Sequence, residues 1–317
     1  MNSSCPASIR VLVLSYNHQD FILQALKSVN MQISSHPIKI TIHDDCSTDK
    51  TQEIIQSEMR NSPFEWELVV PPTNQFSKRN NFTNKLIFSM QEDFIAILEG
   101  DDYWTDPLKL QKQADKLIAN ENSNLCHHTF SVVQNGETLL EWPPIHWRAD
   151  VSGLELSKEN FVGTLTVMFR RSAFVQRIPK NYRQLRIGDY HIWALLTQNS
   201  KIIFIDELMS NYRIHDSNYF ANLSKFDQLG FIIQSKIFTA CNISSEYFYL
   251  WFKSITADLV SLDTLKNSGS IFSDHKFEQE LVADIKKLFL RKRKVRLLHL
   301  LQKYVRALVQ PKNEYKI

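Results

Sequence analysis

The chain has 317 residues, 43% hydrophobic, 22% charged and 11% aromatic, with 7 Gly and 10 Pro, a composition that supports a large core and one or two domains and excludes a disordered, collagen-like or low-complexity chain. No apolar run approaches the roughly 18–20 residues of a membrane helix, and the 4 cysteines are scattered without a C-x-x-C pair, which argues against a zinc site or disulfide framework. The net charge of +3 is uneven: residues 285–310 carry nine Lys/Arg and no Asp/Glu, leaving 28 basic against 34 acidic residues elsewhere, a balance that does not indicate nucleic acid.

The opening MNSSCPASIRVLVLSYN does not read as a signal peptide, because its short apolar stretch IRVLVLS (9–15) reads as a buried parallel strand ending in the polar turn Ser15-Tyr16-Asn17-His18. Phe21, Ile22, Ala25, Leu26 and Val29 then follow helical spacing. Ile38 to Ile42 is a second strand ending at Asp44-Asp45, and Ser47 or Thr48 is expected to cap a helix carrying Ile54 and Ile55. Trp66 to Val70 is a third strand stopped by Pro71-Pro72, followed by a polar loop and a helix with Phe82, Leu86 and Met90, for which Asn80 or Asn81 offers a cap. Phe94 to Leu98 is a fourth strand ending in Glu99-Gly100-Asp101-Asp102, and Pro107 suits the first turn of the next helix. Four strand–helix alternations predict a doubly wound α/β layer. Beyond residue 122 strands are expected near 125–133, 162–169 and 202–205, a helix near 189–198, an extended stretch through 212–215, and mainly helix over 222–265 and 275–309.

In doubly wound sheets ligands bind at the carboxyl ends of the strands, and two of those ends carry acidic pairs. Adjacent carboxylates repel each other, and a hard divalent cation such as Mg²⁺ or Mn²⁺ relieves that cost while binding substrate phosphates. A solvated turn that caps the next helix is the plain alternative for Asp101-Asp102. For Asp44-Asp45 the alternatives are helix capping and recognition of a nucleobase or ribose.

Four segments, in order, resemble the family 2 glycosyltransferases of the GT-A type, inverting enzymes of the bacterial kind. VLVLSYNHQDFILQALKSVNMQ (11–32) resembles the first strand and helix, and ITIHDDCSTDKTQEII (40–55) the nucleotide signature. ILEGDDYWTDPLKLQKQ (97–113) resembles the acidic metal motif, and IGDYHIWALLTQNSKIIFIDELMSNYRIH (187–215) the catalytic-carboxylate helix and the R-x-H segment. The resemblance implies an α/β, GT-A-like nucleotide-diphospho-sugar transferase fold with a Rossmann-like mixed sheet and a helical C-terminal region. Ser15, Tyr16 and Asn17 would line the base and ribose pocket, and Asp45 beside Asp44 would hold the base edge. Asp101 would face ribose or metal, Asp102 would be the principal ligand of Mn²⁺ or Mg²⁺, His215 would approach the metal or diphosphate, and Arg213 would support that loop. Asp189 would be the general base that takes the acceptor proton during direct displacement with inversion. Two departures stand out: Glu99 where many members begin the metal motif with Asp, and Gly188-Asp189 where many have Glu-Asp.

Lys78 and Arg79 suit a donor phosphate or a solvated loop equally. Trp104, Trp142 and Trp147 suit sugar stacking or core packing, Cys126-His127-His128 reads as packing or cleft lining, and Arg170-Arg171 as a surface strand end. Leu297, Leu298, Leu301, Tyr304, Val305 and Leu308 recur at helical spacing among cations, so residues 285–310 form a basic amphipathic segment suited to an anionic membrane surface or to packing on the catalytic domain or another subunit. The expected organisation is a catalytic domain at 1–221 and a helical region at 222–317. The expected activity is metal-dependent transfer of a hexosyl or N-acetylhexosaminyl group, from a nucleotide-sugar of the UDP class to a glycan, lipid-linked or cell-surface polysaccharide acceptor. The expected place is the cytoplasm, peripheral on the inner face of the membrane, with C-terminal helices available for oligomer contacts. The alternatives are a nucleotidyl transferase, disfavoured by the lack of a Gly-rich, Lys-bearing phosphate loop, and a non-catalytic carbohydrate-binding or scaffold protein of the same fold.

Overall fold

A computed structural model describes residues 6–180, 185, 186, 188–267 and 275–291. In chain order the first half runs β1 (Ile9–Ser15), α1 (Ile22–Asn30), β2 (Ile38–Asp44), α2 (Thr51–Met59), β3 (Glu65–Val69), α3 (Phe82–Ser89), β4 (Phe94–Glu99), β5 (Tyr103–Trp104) and α4 (Lys109–Ala119). It continues with β6 (Leu125–Gln134), β7 (Glu137–Trp142), β8 (Val151–Ser152), β9 (Met168–Arg170), α5 (Arg171–Arg177), α6 (Tyr190–Thr197) and β10 (Lys201–Ile214), then α7 (Lys225–Asn242), α8 (Phe248–Asn267) and α9 (His275–Arg291). The strands form one mixed sheet in the order β3-β2-β1-β4-β9-β6-β10-β5, with β7 on β6 and β8 on β10.

The α/β expectation holds, and its physical basis is burial on both faces. Ile9, Val11, Leu12 and Val13 are all 0% exposed, as a parallel strand covered by helices on both sides requires. β1 pairs in parallel with β2 and with β4, so Ser15, Asp44 and Glu99 reach the same edge of the sheet. Ala25, Leu26 and Val29 of α1 and Leu110, Ala114 and Leu117 of α4 join that core.

Several local expectations are corrected. Ser47 and Thr48 do not cap α2: its N-cap position is Lys50 without a side-chain bond, while Asp49 Oδ1 accepts the Thr51 N–H at 2.9 Å. Asn81 occupies the N-cap position of α3 but makes no side-chain cap bond. Pro107 precedes α4, where Asp106 Oδ1 accepts the Leu108 N–H at 2.7 Å. Of residues 162–169 only the end is strand, because Thr164–Thr166 form a 3₁₀ turn. The stretches at 202–205 and 212–215 are one strand: β10 runs parallel to β6 throughout, with register shifts between Ile205 and Leu208 and between Leu208 and Ser210. Such bulges bend a strand and re-aim its side chains.

The aromatic and histidine readings resolve toward packing. Trp104 is 1% exposed and donates its indole N–H to the Leu165 carbonyl at 2.9 Å. Trp147 stacks on Phe161 at 4.5 Å, and Trp142 donates to the Phe161 carbonyl at 3.0 Å. Cys126, His127 and His128 are fully buried; burial pushes the Cys126 thiol up to about 12 and His127 down to about 3. Beneath them Lys109, also 0% exposed, donates to Gln113 Oε1 at 2.7 Å, and its ammonium lies 4.2 Å from the Trp104 ring centroid.

Burial pushes Lys109 down to about 7 from its ordinary 10.5. In the unfolded chain the ammonium persists to the higher value, so between those limits the unfolded state binds more protons and stability rises with pH. The Lys109→Met variant lacks this term. Its stability relative to wild type should therefore be greatest at pH 7 and below, and should decline as pH rises toward 10.5. Urea unfolding of both proteins at pH 6.5, 8 and 9.5 measures this, and a difference independent of pH would assign the lysine an ordinary value.

The chain divides into two compact units, Met1–Gln184 with Ile192–Asp216, and Leu185–His191 with Ser217–Ile317. The second contains α7, α8 and α9, with Lys236 Nζ on Asp258 Oδ2 at 2.7 Å and Phe231 edge-on to Phe277 at 4.4 Å. No helix of the described residues is long and apolar enough to cross a membrane. The basic segment lies outside the described residues from 292 onward.

Candidate active site

The first unit gathers most of the sequence-predicted residues at the carboxyl edge of the sheet. Asp44, at the end of β2, is 0% exposed. Its Oδ1 accepts the Ser47 N–H at 2.9 Å and Gln52 Nε2 at 2.8 Å; its Oδ2 accepts the Ser47 hydroxyl at 2.5 Å and the Ser15 hydroxyl at 3.3 Å. With its carboxylate so engaged, Asp44 fixes the turn between β2 and α2. Asn17 completes that turn in the left-handed region at φ 54, where asparagine is tolerated; its Oδ1 accepts the Thr48 N–H at 2.8 Å.

Asp45 faces the other way. Its two oxygens accept the N–H groups of Gln75 at 2.7 Å and Phe76 at 2.9 Å, tying down the 73–81 loop. Lys78, on that loop, donates to Thr73 Oγ1 at 2.8 Å. Tyr16 is 43% exposed beside the buried Ser15.

The second acidic pair follows β4. Asp102 is 0% exposed. Its Oδ1 accepts the backbone N–H of Arg213 at 2.8 Å, while its Oδ2 has no hydrogen-bond partner. Burial, then the neighbouring Asp101 and Glu99 carboxylates, push its carboxyl well above the usual range. Asp101 behaves oppositely: burial pushes it up, but the hydrogen bond with His215 and the charge of His18 outweigh this and hold it low. Its Oδ2 is 3.1 Å from His215 Nε2 and 3.8 Å from His18 Nε2. Two neighbouring carboxyls with shifts of opposite sign are a common signature of a functional site.

The turn that leads into them admits no side chain at Gly100. A Cβ on Gly100 would sit 2.9 Å from both His18 Nδ1 and Ile22 Cδ1 and 3.1 Å from the Leu14 carbonyl. Arg213, at the end of β10, bridges the strand ends: its Nη1 donates to the Asp101 carbonyl and its Nη2 to Gln24 Oε1 at 2.6 Å. Its guanidinium lies 4.9 Å from the Phe21 ring centroid and 4.8 Å from that of Tyr103.

The donor set suits a hard divalent cation. Asp102 Oδ2 is a buried acceptor without a donor, its neighbours are carboxylates and an imidazole, and a cation there would remove the repulsion among them. Among the described residues no three His, Cys, Asp or Glu side chains form a closed cage; a cation shared with substrate phosphates needs only one or two carboxylates.

Asp189 belongs to the second unit. It stands before the first turn of α6, and its Oδ1 accepts the Tyr190 N–H at 2.7 Å. A carboxylate is favoured at a helix N-terminus. Sequence reasoning missed His18, Phe21, Gln24 and Tyr103 as site residues. For His18 a signal was present, since it closes the polar turn after β1; Phe21 carried none beyond helical spacing, and Gln24 carried none.

A family model described as Glycosyl transferase family 2 matches residues 10–177. An uncharacterised protein of Mycobacterium tuberculosis is 32% identical over 206 residues, 65% of this chain and 58% of its own length, so the matched part spans little more than half of that relative. The putative teichuronic acid biosynthesis glycosyltransferase TuaG of Bacillus subtilis is 28% identical over 220 residues, 68% of this chain and 82% of its own. Two solved structures share the fold. Residues 1–349 of S. aureus TarS in complex with UDP-GlcNAc superpose with a TM-score of 0.55 at 17% identity, over 95% of this chain and 81% of that one. The Pyrobaculum calidifontis mannosyltransferase PcManGT, in complex with GDP-Man and Mn²⁺, superposes with 0.57 at 16% identity, over 96% and 86%.

Proposed function

The chain belongs to glycosyl transferase family 2, and from that membership we propose that it moves a sugar from a nucleotide-sugar to a hydroxyl of a glycan, lipid-linked or cell-surface polysaccharide acceptor, with inversion at the anomeric carbon. The observation that carries the reading is the buried, unpartnered Oδ2 of Asp102 beside Asp101 and Glu99. Asp102 would be the principal holder of Mn²⁺ or Mg²⁺, with Asp101 and His215 alongside. When bound, the cation supplies a Lewis acid for the departing diphosphate. Ser15, Tyr16, Asn17 and Asp45 form the nucleoside end, and Asp44 holds their turn. Asp45 also sets the 73–81 loop, which carries Lys78 for contact with the donor phosphate. Arg213 keeps the two acidic residues in place. Asp189 takes the proton of the acceptor hydroxyl as that oxygen attacks the anomeric carbon. The UDP class of donor is supported by the UDP-GlcNAc held by TarS, and a guanosine donor by the GDP-Man held by PcManGT.

The test is nucleotide release from a panel of UDP- and GDP-sugars, with Mn²⁺ present or removed by chelation. Metal-dependent release from one member supports the reading. Binding without release from any member would favour a carbohydrate-binding or scaffold protein.

A peripheral place on the cytoplasmic face of a membrane is proposed for the basic segment 285–310. Each cation near an anionic surface contributes about 1 kcal/mol, weakened by salt. Full-length protein should co-sediment with vesicles containing anionic lipid at low salt and release at high salt, while the 1–284 chain stays in solution. Equal sedimentation would assign the segment to helix packing or subunit contact.

A further inference from the structure

We propose that Phe21 is a positioning residue for the diphosphate end of the donor site, holding His215 and Arg213 so that Asp101 and Asp102 are presented together; the proposal rests on the donor-site reading above. The first observation is a broken local rule. Phe21 occupies the N-cap position of α1, at φ −123 and ψ −36, with no side-chain cap bond. Ser, Thr, Asp or Asn ordinarily cap a helix at this position; here the N–H groups of Ile22 and Gln24 are met instead by the carbonyls of His18 at 2.8 Å and Phe21 at 3.0 Å, which leaves the Phe21 side chain free of a capping duty.

The second observation is what the ring touches instead. The His215 imidazole lies against it at 4.3 Å between centroids, and the Arg213 guanidinium lies 4.9 Å from the same centroid. Both partners act on the acidic pair: His215 Nε2 is 3.1 Å from Asp101 Oδ2, and the Arg213 N–H donates to Asp102 Oδ1 at 2.8 Å. One aromatic side chain therefore backs the imidazole on the Asp101 carboxylate and the guanidinium of the residue whose backbone N–H holds Asp102 and whose Nη1 holds the Asp101 carbonyl. One turn further along α1, Gln24 accepts from Arg213 Nη2 at 2.6 Å and fixes the rotation of the guanidinium. The Tyr103 ring centroid lies 4.8 Å from the same guanidinium, and its hydroxyl accepts from Asn211 Nδ2 at 2.7 Å. These residues all belong to the first unit. The start of α1 thus serves as an outer wall for the acidic turn, and such outer partners tune the affinity of the groups they hold.

The experiment measures Mn²⁺ binding directly, by electron paramagnetic resonance or calorimetry, in the full-length chain saturated with UDP, and with GDP in a parallel arm. Phe21→Leu keeps apolar volume and removes the ring; it should weaken Mn²⁺ binding by about 10–100-fold. Phe21→Tyr keeps the ring and should restore binding to near the wild-type level. Gln24→Ala removes an exposed side chain and should weaken binding in the same direction by a smaller factor. A purely structural role would lower the metal-free melting temperature while leaving the Mn²⁺ affinity of the folded protein unchanged. Wild-type affinity in both Phe21→Leu and Gln24→Ala would overturn the proposal; if Phe21→Leu does not fold, Gln24→Ala alone decides. A wild-type protein that binds no Mn²⁺ with either nucleotide would overturn the donor-site reading, and the proposal with it.

Discussion

Asp102→Asn should lower metal-dependent sugar transfer by on the order of 10³-fold, because it removes several kcal/mol of leaving-group stabilisation. The substitution is close to isosteric. Its amide oxygen still accepts the Arg213 N–H that now bonds Oδ1 at 2.8 Å, so the end of β10 keeps its place. The amide nitrogen, however, replaces the unpartnered Oδ2 with a donor. A donor cannot ligate a cation. The same change removes a carboxylate that burial and its neighbours Asp101 and Glu99 disfavour. The metal-free variant should therefore melt no lower than wild type, and added Mn²⁺ should stabilise the wild type alone. Turnover at saturating donor and melting curves with and without Mn²⁺ test the two halves separately. Full activity at limiting Mn²⁺ would remove Asp102 from the metal site.

Asp189→Asn should lower turnover by about 10²–10⁴-fold while leaving donor affinity nearly unchanged, because a general base acts on the acceptor proton and not on donor binding. Asparagine retains an oxygen to accept the Tyr190 N–H, now bonded at 2.7 Å, so the start of α6 should persist. The measurement is kcat and donor KM with a soluble acceptor, together with donor binding by calorimetry. Collapse of donor binding with normal conversion of bound donor would make Asp189 a donor-site residue.

What could be read from the chain alone followed from burial. The strands β1 and β4 are largely apolar runs because both faces are covered, and β1, β2 and β4 each end at a polar residue that the sheet delivers to its carboxyl edge. The two acidic pairs were legible for that reason, but their division of labour was not. Asp44 and Asp45 are neighbours in sequence, yet one is engaged by its own turn and the other holds the backbone of Gln75 and Phe76. Such bonds are made across 30 or more residues, and local pattern carries no trace of them. The cap expected at Ser47 failed for a related reason: its hydroxyl donates to Asp44. The β6–β7 hairpin went unread although Asn135-Gly136, both at positive φ, is a strong hairpin turn signal. In β10 the polar pair Asp206-Glu207 split one strand into two apparent pieces.

That split has a consequence for how the chain tolerates change in length. Asp206, Glu207 and Leu208 are exposed and lie at the register shifts of β10. By burial alone they rank among the most replaceable positions, and substitutions there should be mild. A deletion is different. Side chains alternate faces along a strand, so the loss of one residue turns every following side chain to the opposite face. Ile202–Ile205 would stay seated beside Leu125–His128, while Arg213 would trade its direction with its neighbours and lose both its aromatic partners and its hold on Asp101 and Asp102. The three surface residues act as a spacer, and their count should matter more than their chemistry. Related chains should vary freely in the letters of this segment and hardly at all in its number of residues.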